Sequence, residues 1–447
     1  MGLGLVHYIP LIAYFGFWIA ILASLGGRPL LGLYYLLPFL PYRTMRDHFL
    51  DYPLGANVTT ILVLAIIVGA LIQGKRLPKS GLHLTWLIFA VYMYLSMWLG
   101  TALGHANAPL WLHDANFATW KDYMLLPLVF VAAGLVVQDR KAVRTVILIT
   151  GISLLFIDRS ALMDSMSRSW GSFDESKRDG GPLGFAGSNG LAAFLAQFAM
   201  FFWGFGQFLK RRKAKLLCYA LVGLTIFATM YTFSRASYIA IVAGALLLGI
   251  LKDRKMIIVV AVFLFTWQAI VPAAVTERVM MTTNSNGQLE ASAQERVDLW
   301  ENAKKAFYNE PLFGMGFATF QYGDHTDNLK DTHNWYVKVL IETGVLGGIF
   351  AAVLLFQMLS LAYRLFRHSK DPLYQGLGFA LLLCISASMI LNCFGDRWTY
   401  LEINGLLWAL IGTAACASHL TEPESESTSA MIAPDPTVAV NPYMAYR

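Results

Sequence analysis

Long apolar runs recur along the chain from one end to the other, separated by short polar connections. A helix rises about 1.5 Å per residue, so runs of about 20 residues, which recur along the chain, are long enough to cross a hydrocarbon core of roughly 30 Å. The fold class predicted is an all-α polytopic membrane protein with about 12 transmembrane helices. The predicted spans are 6–25, 55–73, 83–102, 122–137, 143–158, 184–208, 215–233, 237–251, 255–271, 335–362, 373–393 and 401–419.

A shorter apolar run at 30–41 contains two prolines. It is too short to cross a bilayer alone, and proline interrupts a helix. We therefore expect a re-entrant or interfacial piece attached to the first span. That first span has no basic stretch before it and no small-residue cleavage site, so we interpret it as a retained helix and not a signal peptide.

Basic residues alternate along the connections, which predicts the orientation because cytoplasmic connections are enriched in Lys and Arg. The basic connections are Lys75, Arg76 and Lys79; Arg140, Lys141 and Arg144; 210–215; 252–255; and Arg364, Arg367 and Lys370. The outward segments are then 103–121, 159–183, 234–236, 272–334 and 394–400. Arg43 and Arg46 fit poorly, because they fall on the outward side.

This topology divides the chain into four parts. Residues 1–271 hold about ten N-terminal spans, 272–334 form a large outward loop, and 335–420 hold the C-terminal spans. The remaining segment, 421–447, is rich in Ser, Pro and Glu and has little apolar surface to bury, so we expect a disordered cytoplasmic tail.

Composition agrees with a membrane protein. The chain has 447 residues, of which 57% are hydrophobic and 14% charged, and its mean hydropathy is +0.53. The net charge of +6 is spread over separate connections, whereas nucleic-acid binding calls for one basic patch. The four cysteines lie in apolar segments without a C-x-x-C pair, so neither a disulfide framework nor a thiolate metal site is expected.

Two arginines in the outward segments are suited to binding anions. Arg235 lies in the short turn between two spans, where it either reaches the interface as a lone cation or binds an anionic headgroup. Arg296 lies one helical turn before Trp300, on the face that also carries Ala303 and Phe307. We expect that face to point at the protein, so Arg296 needs an anion: Glu295 or Asp298, or a substrate phosphate.

His333 immediately precedes the long apolar helix predicted from 335. The positive end of a helix dipole disfavours an imidazolium, which leaves His333 neutral and able to accept a proton. The alternatives are an interfacial histidine without a role and a divalent metal site. That metal site would use Asp324, His325, Asp327, Asp331 and His333, whose spacing matches no recognised ligand pattern.

The order of these residues resembles the O-antigen ligase and polymerase superfamily of bacterial envelopes. The match is closest to the lipopolysaccharide O-antigen ligases, including the O-glycosylation ligases related to them, and it covers about 180–363. The residues that carry it are Ser234, Arg235, Ala236, Arg296, Trp300, Pro311, Gly314, Gly316, His333, Asn334, Glu342, Gly344 and Gly347.

The resemblance implies a GT-C-like glycosyltransferase of the bacterial inner membrane, surrounded by membrane lipids, with its active site facing the periplasm. Such enzymes transfer a glycan from undecaprenyl diphosphate to the lipid A–core and need neither a metal nor another cofactor. His333 would act as the general base, Arg235 and Arg296 would neutralise the diphosphate, and direct displacement would invert the anomeric centre.

Further polar residues in or near the outward segments are candidates for substrate binding. Asn334 would orient His333, and Asn189 would face the cavity or bond a neighbouring helix. Arg168, Lys177 and Arg178 would meet sugar or phosphate groups unless Asp174, Glu175 and Asp179 pair with them. Asp396 and Arg397 would close the cavity or pair with each other, and Trp300 completes the set.

The acceptor is left open by the sequence. A polymerase that extends a carrier-linked glycan, or a protein O-oligosaccharyltransferase, would use the same chemistry. A transporter or flippase is the alternative from another class, and it should place ionisable residues at mid-membrane depth. Arg235, Arg296 and His333 are instead predicted at one face, where they can act on one substrate only if they share a cavity.

Overall fold

The computed structural model describes residues 8–78, 80–106, 108–109, 114–166, 172–174, 178, 184–281, 291–322 and 332–421. Every regular element in these residues is helical, which confirms the all-α fold. The α-helices are α1 (Ile9–Leu25), α2 (Pro29–Phe39), α3 (Arg43–His48), α4 (Val58–Ile72), α5 (Leu82–Ala102), α6 (Ala115–Val136), α7 (Arg140–Met166), α8 (Gly187–Gly206), α9 (Arg212–Met230), α10 (Arg235–Leu251), α11 (Lys255–Ile270), α12 (Ala273–Met280), α13 (Ala291–Asn309), α14 (Thr319–Tyr322), α15 (Trp335–His368), α16 (Pro372–Leu391) and α17 (Leu401–Thr421).

The predicted spans all coincide with helices. Nine helices in the described part of the chain are long and apolar enough to cross a membrane, and the count is ten if the pair α11–α12, bent by 110°, is one span. The apolar helices α1 and α10 have 17 residues each and fall just short by length. Together these elements account for the twelve predicted spans and confirm a polytopic membrane protein.

The helices α1 and α4 run in the same direction. Tyr14 in the first half of α1 donates a hydrogen bond of 2.6 Å to the carbonyl of Pro53, which precedes α4. At the other end, Gln73 after α4 donates to the carbonyl of Gly27 after α1. Because both helices point the same way, the chain between them must return through the bundle.

The helix α2 makes this return, so the expectation of a re-entrant or interfacial piece is wrong. Its 11 residues rise only about 16 Å, and the crossing is completed by the residues up to α3. Leu33, Leu36 and Leu37 are fully buried, because α1, α4 and α7 pack against one side of the helix, while Leu31 is 50% exposed. A span that packs largely against protein does not need the length that lipid would demand.

Arg43 and Arg46, which fit the charge alternation poorly, are explained by an ion-pair cluster. The Arg46 Nη2 atom lies 3.2 Å from Oε2 of Glu402 at the start of α17, and Arg43 Nη1 lies 3.6 Å from Oε1. Burial lowers the pKa of Arg46, and the Glu402 carboxylate opposes this shift. Arg43 and Arg46 therefore neutralise the buried carboxylate of Glu402. Their positions do not indicate which side of the membrane is cytoplasmic.

The long helix α15 is kinked at Gly344, which has φ +66°. The segment 311–316 inserts its backbone at the kink and replaces the lost helical hydrogen bonds. Met315 N–H donates to Ile341 O (2.9 Å), Gly316 N–H to Glu342 O (3.0 Å) and Val345 N–H to Pro311 O (3.0 Å). A Cβ atom on Gly314 would lie 2.5 Å from the carbonyl carbon of Glu342, so this contact requires glycine.

Candidate active site

A cavity of about 320 Å³ lies at the end of the bundle where α8, α10 and α15 begin. Four of the predicted outward segments contribute residues to this cavity. By contrast, Arg140 and Asp371 belong to two of the predicted cytoplasmic connections, and they form an ion pair with each other (2.8 Å). The charged wall of the cavity consists of Arg178, Arg235, Arg278, Arg296, Arg397, His333 and Glu295. The three predicted catalytic residues therefore share one cavity.

Arg235 is the first residue of α10, and Ser234 occupies the N-cap position. The Arg235 Nη1 atom donates a hydrogen bond of 2.7 Å to the carbonyl of Met281, just after α12. Phe233, which also lines the cavity, has φ +53°. Such a conformation costs free energy in a residue with a side chain and is found disproportionately at functional sites.

His333 is held by contacts of its two chain neighbours. The Asn334 side-chain oxygen accepts hydrogen bonds from the N–H groups of Tyr336 (3.0 Å) and Val337 (3.3 Å), which caps α15. Trp300 Nε1 donates to the carbonyl of Thr332 (2.9 Å). His333 itself has φ +50°, a second strained residue on the cavity wall.

These contacts describe two of the residues named from the sequence, and those of Asn334 fit its predicted role of orienting His333. Trp300 and Asn334 do not line the cavity; both fix the backbone that presents His333. Trp300 is 40% exposed, because the buried face of α13 runs through Leu299 and Ala303 and leaves Trp300 at its edge. Direct substrate binding by either residue is therefore not indicated.

Arg296 lies half-buried on α13 and lines the cavity together with its neighbour Glu295. The helix packs through Ala303, Ala306 and Phe307 against α15, which fixes its face toward the protein. Asp298, the other carboxylate considered as a partner of Arg296, is exposed and accepts a hydrogen bond from Gln294 (3.0 Å). In the described part of the cavity wall there is one carboxylate, that of Glu295.

Arg278 is a cavity residue that the sequence analysis missed. It lies on α12, is only 4% exposed, and its guanidinium carbon lies 4.8 Å from the centre of the Phe173 ring. The backbone N–H of Phe173 donates to Oε2 of Glu277 (2.8 Å), so two consecutive residues of α12 are tied to one residue of the preceding outward segment. The sequence feature that could have indicated Arg278 was its position in a short amphipathic helix just after a span.

Arg178 and Asn189 both line the cavity, as predicted, and contact each other. Arg178 Nη2 donates to Asn189 Oδ1 at 2.8 Å, which uses the Asn189 side chain in the first turn of α8. Arg168 and Lys177, the other candidates from this outward segment, lie outside the described residues.

Arg397 lines the cavity, but its neighbour Asp396 does not. The Asp396 carboxylate is 1% exposed and lies 3.0 Å from the ammonium of Lys338. It also accepts hydrogen bonds from the Trp398 N–H (3.1 Å) and the Thr399 hydroxyl (2.8 Å). Asp396 is thus bonded to Lys338 and within the turn that presents Arg397, and substrate binding by Asp396 stays a prediction.

The cavity is a strongly positive environment. Five arginines face one glutamate across its described wall, and residues at or just before the N-termini of α8, α10 and α15 line it. Helix N-termini carry partial positive charge and free N–H groups, so they favour anions. A ligand with a phosphate or diphosphate group fits this arrangement by charge, since arginine binds phosphate oxygens bidentately.

Metal binding by the described residues has no support, because they contain no group of three or more His, Cys, Asp or Glu side chains placed to hold an ion. Four residues of the metal alternative, at 324, 325, 327 and 331, lie outside the residues that the structure describes.

The fold and the cavity define a polytopic membrane protein with an arginine-lined cavity at one end of its helix bundle. Residues 220–352 match the O-antigen ligase family model, which confirms the resemblance: the chain carries an O-antigen ligase family domain. This indicates, in general terms, an enzyme of glycosyl transfer. The matched segment contains Arg235, Arg278, Arg296 and His333. No curated protein matches the chain significantly.

Proposed function

We propose that the protein transfers a glycan from undecaprenyl diphosphate to the lipid A–core at the periplasmic face of the bacterial inner membrane. The observation that carries this proposal is the shared cavity of Arg235, Arg296 and His333. Cooperating groups must reach one bound substrate, and these three come from separate segments more than 30 residues apart in the chain.

The arginines bind the diphosphate and stabilise it as the leaving group. When the bond between the anomeric carbon and the diphosphate oxygen breaks, negative charge grows on that oxygen. Arg235 and Arg296, joined by Arg278, are permanently charged and need no metal to neutralise it. The N-terminus of α10 adds its partial positive charge at the same place.

His333 accepts the proton of the acceptor hydroxyl as that oxygen attacks the anomeric carbon. The attack comes from the side opposite the diphosphate, so one displacement inverts the anomeric centre. The hydrogen bonds of Trp300 to Thr332 and of Asn334 to the start of α15 keep the imidazole at the cavity wall. The base is thus positioned by neighbours that do not touch the substrate.

A transporter or flippase is less well supported. Ionisable residues deeper in the bundle are engaged in local contacts: the Asp158 Oδ2 atom accepts from the Thr225 hydroxyl (2.7 Å), and Lys338 pairs with Asp396. Neither Asp158 nor Lys338 lines the arginine-rich cavity. The residues suited to chemistry are concentrated at one end of the bundle, which favours an enzyme over a transport pathway.

The test is a transfer assay with purified protein, undecaprenyl-diphosphate-linked glycan and lipid A–core in the presence of EDTA. The size of the acceptor is followed on a gel for the wild type, His333→Ala and the control His48→Ala, whose histidine is exposed and outside the cavity. An upward shift that is lost only in His333→Ala supports the proposal.

Two other acceptors are distinguished by the same assay. If the lipid A–core is unchanged and the carrier-linked glycan becomes longer, the protein is a polymerase. If neither acceptor is glycosylated but an added peptide with Ser or Thr is, the protein is a protein O-oligosaccharyltransferase. If no acceptor is modified by folded protein, glycosyl transfer is the wrong proposal and a transport assay follows.

A further inference from the structure

Three of the basic connections meet at the end of the bundle opposite the arginine-lined cavity. The helices α8, α10 and α15 begin at that cavity, so their last turns lie at the other end, which is the predicted cytoplasmic end. Ten exposed basic residues close these helices or follow them, and we call them the basic cluster. Its members are Lys210, Arg211, Arg212, Lys213, Lys252, Arg254, Lys255, Arg364, Arg367 and Lys370.

Phe208, just after α8, brings the three connections together. The centre of its ring lies 6.0 Å from that of Phe366 in the last turn of α15 and 5.7 Å from that of Phe379 in α16. The ammonium nitrogen of Lys252, just after α10, lies 4.3 Å from the centre of the Phe208 ring, within the range of a cation–π contact. The basic cluster is therefore produced by the fold, because its members come from three separate parts of the chain.

The positive charge of the basic cluster is not neutralised by carboxylates of the protein. Within the described part of the chain, none of its ten members forms an ion pair. The same connections contain the acidic residues Asp253 and Asp371. Asp253 Oδ1 accepts a hydrogen bond from the Lys255 backbone N–H (3.1 Å), and Asp371 pairs with Arg140. A ligand that neutralises the cluster must therefore come from outside the chain.

Exposed apolar side chains adjoin the basic cluster on its membrane side. Leu216 and Leu217, in the first two turns of α9, are 69% and 72% exposed, and Ile250 at the end of α10 is 65% exposed. An anionic phospholipid has the complementary pattern, because its phosphate is attached to hydrocarbon chains. A nucleic acid offers phosphates without hydrocarbon, so it complements the cations but not the leucines.

We infer that the basic cluster binds the headgroup of an anionic phospholipid in the leaflet at this end of the bundle. Basic sites between spans bind such headgroups at the cytoplasmic side of membrane proteins, and each Lys or Arg near an anionic lipid surface strengthens the attraction. The bound lipid bridges the ends of α8, α10 and α15, the helices that begin at the arginine-lined cavity. This site does not depend on the proposed reaction.

Photo-crosslinking locates the lipid while every cation of the cluster is kept. Benzoylphenylalanine replaces either Leu216, beside the cluster, or Ile72, which is 73% exposed and lies three residues before Lys75 in another basic connection. The probe is radiolabelled phosphatidylglycerol or radiolabelled phosphatidylcholine, in nanodiscs that contain both lipids. The ratio of phosphatidylglycerol to phosphatidylcholine labelling should be at least about threefold higher at 216 than at 72. Equal ratios at the two positions overturn the inference.

Inorganic phosphate distinguishes a lipid headgroup from a free anion. Added at constant ionic strength, it should leave the labelling ratio at position 216 unchanged, because a lipid held by both its phosphate and its chains is not displaced by phosphate alone. If inorganic phosphate removes the difference between positions 216 and 72, the cluster is a site for free phosphate and the inference is wrong.

Two triple variants measure the contribution of the cations with equal loss of charge. One removes an exposed cation from each connection of the cluster, and the control removes three exposed cations from the other two basic connections. The variants are R212Q/K252Q/R364Q and, as the control, R76Q/K141Q/R144Q.

Titration with a short-chain phosphatidylglycerol in detergent measures the Kd of the wild type and both variants. The cluster variant should bind about tenfold more weakly or worse, because three of the attracting cations are gone, whereas the control should keep the wild-type Kd. Binding in the arginine-lined cavity is common to all three proteins and produces no difference between them. Equal weakening in both variants would show an effect of net charge alone and overturn the inference, as would an unchanged Kd in the cluster variant.

Discussion

Lys338 and Asp396 form a buried ion pair: the ammonium nitrogen lies 3.0 Å from Oδ2, and the two side chains are 7% and 1% exposed. The pair joins α15 to the turn between α16 and α17, directly before Arg397 in the chain. The buried carboxylate is further bonded by the Thr399 hydroxyl. This arrangement supports the turn that carries Arg397 to the cavity.

We expect Lys338→Met to lower the free energy of unfolding by about 3–5 kcal/mol, because it leaves a buried carboxylate without its cation. Thermal unfolding in detergent measures this change. The matched control is Lys121→Met, whose pair with Asp122 is on the surface and should cost less than about 1 kcal/mol. An Asp396→Asn variant that keeps its stability but raises the donor KM would instead support substrate binding by Asp396.

His333→Ala should lower kcat by roughly 10²–10⁴-fold, the usual contribution of a general base. Folding should be unaffected, since the hydrogen bonds that fix this segment are made by Thr332 and Asn334. The measurement is the rate of glycan transfer at saturating donor, beside the melting temperature. A loss of less than tenfold with normal folding would remove His333 from the proton transfer.

Arg278→Gln should weaken donor binding by about 10–100-fold, because a buried charge-assisted contact to phosphate is worth roughly 1.5–3 kcal/mol. Titration with undecaprenyl diphosphate measures the Kd directly. Arg278→Lys keeps the charge but not the bidentate geometry or the stacking on Phe173, so it should rescue binding only in part. Equal affinity of all three proteins would make Arg278 a structural residue.

Gly314→Ala should prevent correct folding or reduce stability strongly, since a Cβ at this position meets the backbone of α15 and the residue has φ +74°. Gly223→Ala is the control: a Cβ there has nothing within 4 Å, and alanine in a helix should stabilise by about 0.5–1 kcal/mol. The measurement is the melting temperature of each variant, compared with that of the wild type. Similar values for both would show that the contact of 311–316 with α15 is dispensable.

The crossing of α2 predicts a specific topology for the first part of the chain. With α1 and α4 parallel, residue 28 should lie on the cytoplasmic side and residue 50 on the opposite side. An impermeant thiol reagent should therefore label Leu50→Cys, but not Arg28→Cys, in intact cells of a variant whose Cys393, the exposed cysteine among the native four, is Ser. Labelling of both positions would restore the interfacial interpretation of 30–41.

Hydropathy predicted the fold well where lipid alone decides the length of a helix. The helix α2 is an exception: it has 11 residues with a proline inside it and packs one face against other helices, so a criterion based on bilayer thickness does not detect it. The kink in α15 is signalled by Gly344, but its cause is the backbone of 311–316, a contact between segments that a local pattern does not contain.

The candidate site was predicted in part because its residues occur in a recognisable order around Arg235, Arg296 and His333. Arg278 was missed because its position depends on the 110° bend between α11 and α12 and on Phe173. Trp300 and Asp396 were assigned to substrate binding because a sequence gives residue types and spacing. It does not distinguish a side chain that faces a cavity from one that holds the neighbouring backbone in place.

The arginine-lined wall has a consequence for the end of the catalytic cycle. Once the glycan has left, the remaining lipid diphosphate carries more negative charge than the donor did, while the guanidinium groups around it are unchanged. In the proposed reaction the spent carrier therefore binds at least as tightly as the fresh one. Turnover is then governed by how fast the empty carrier escapes into the bilayer, and accumulated lipid diphosphate should act as a strong product inhibitor.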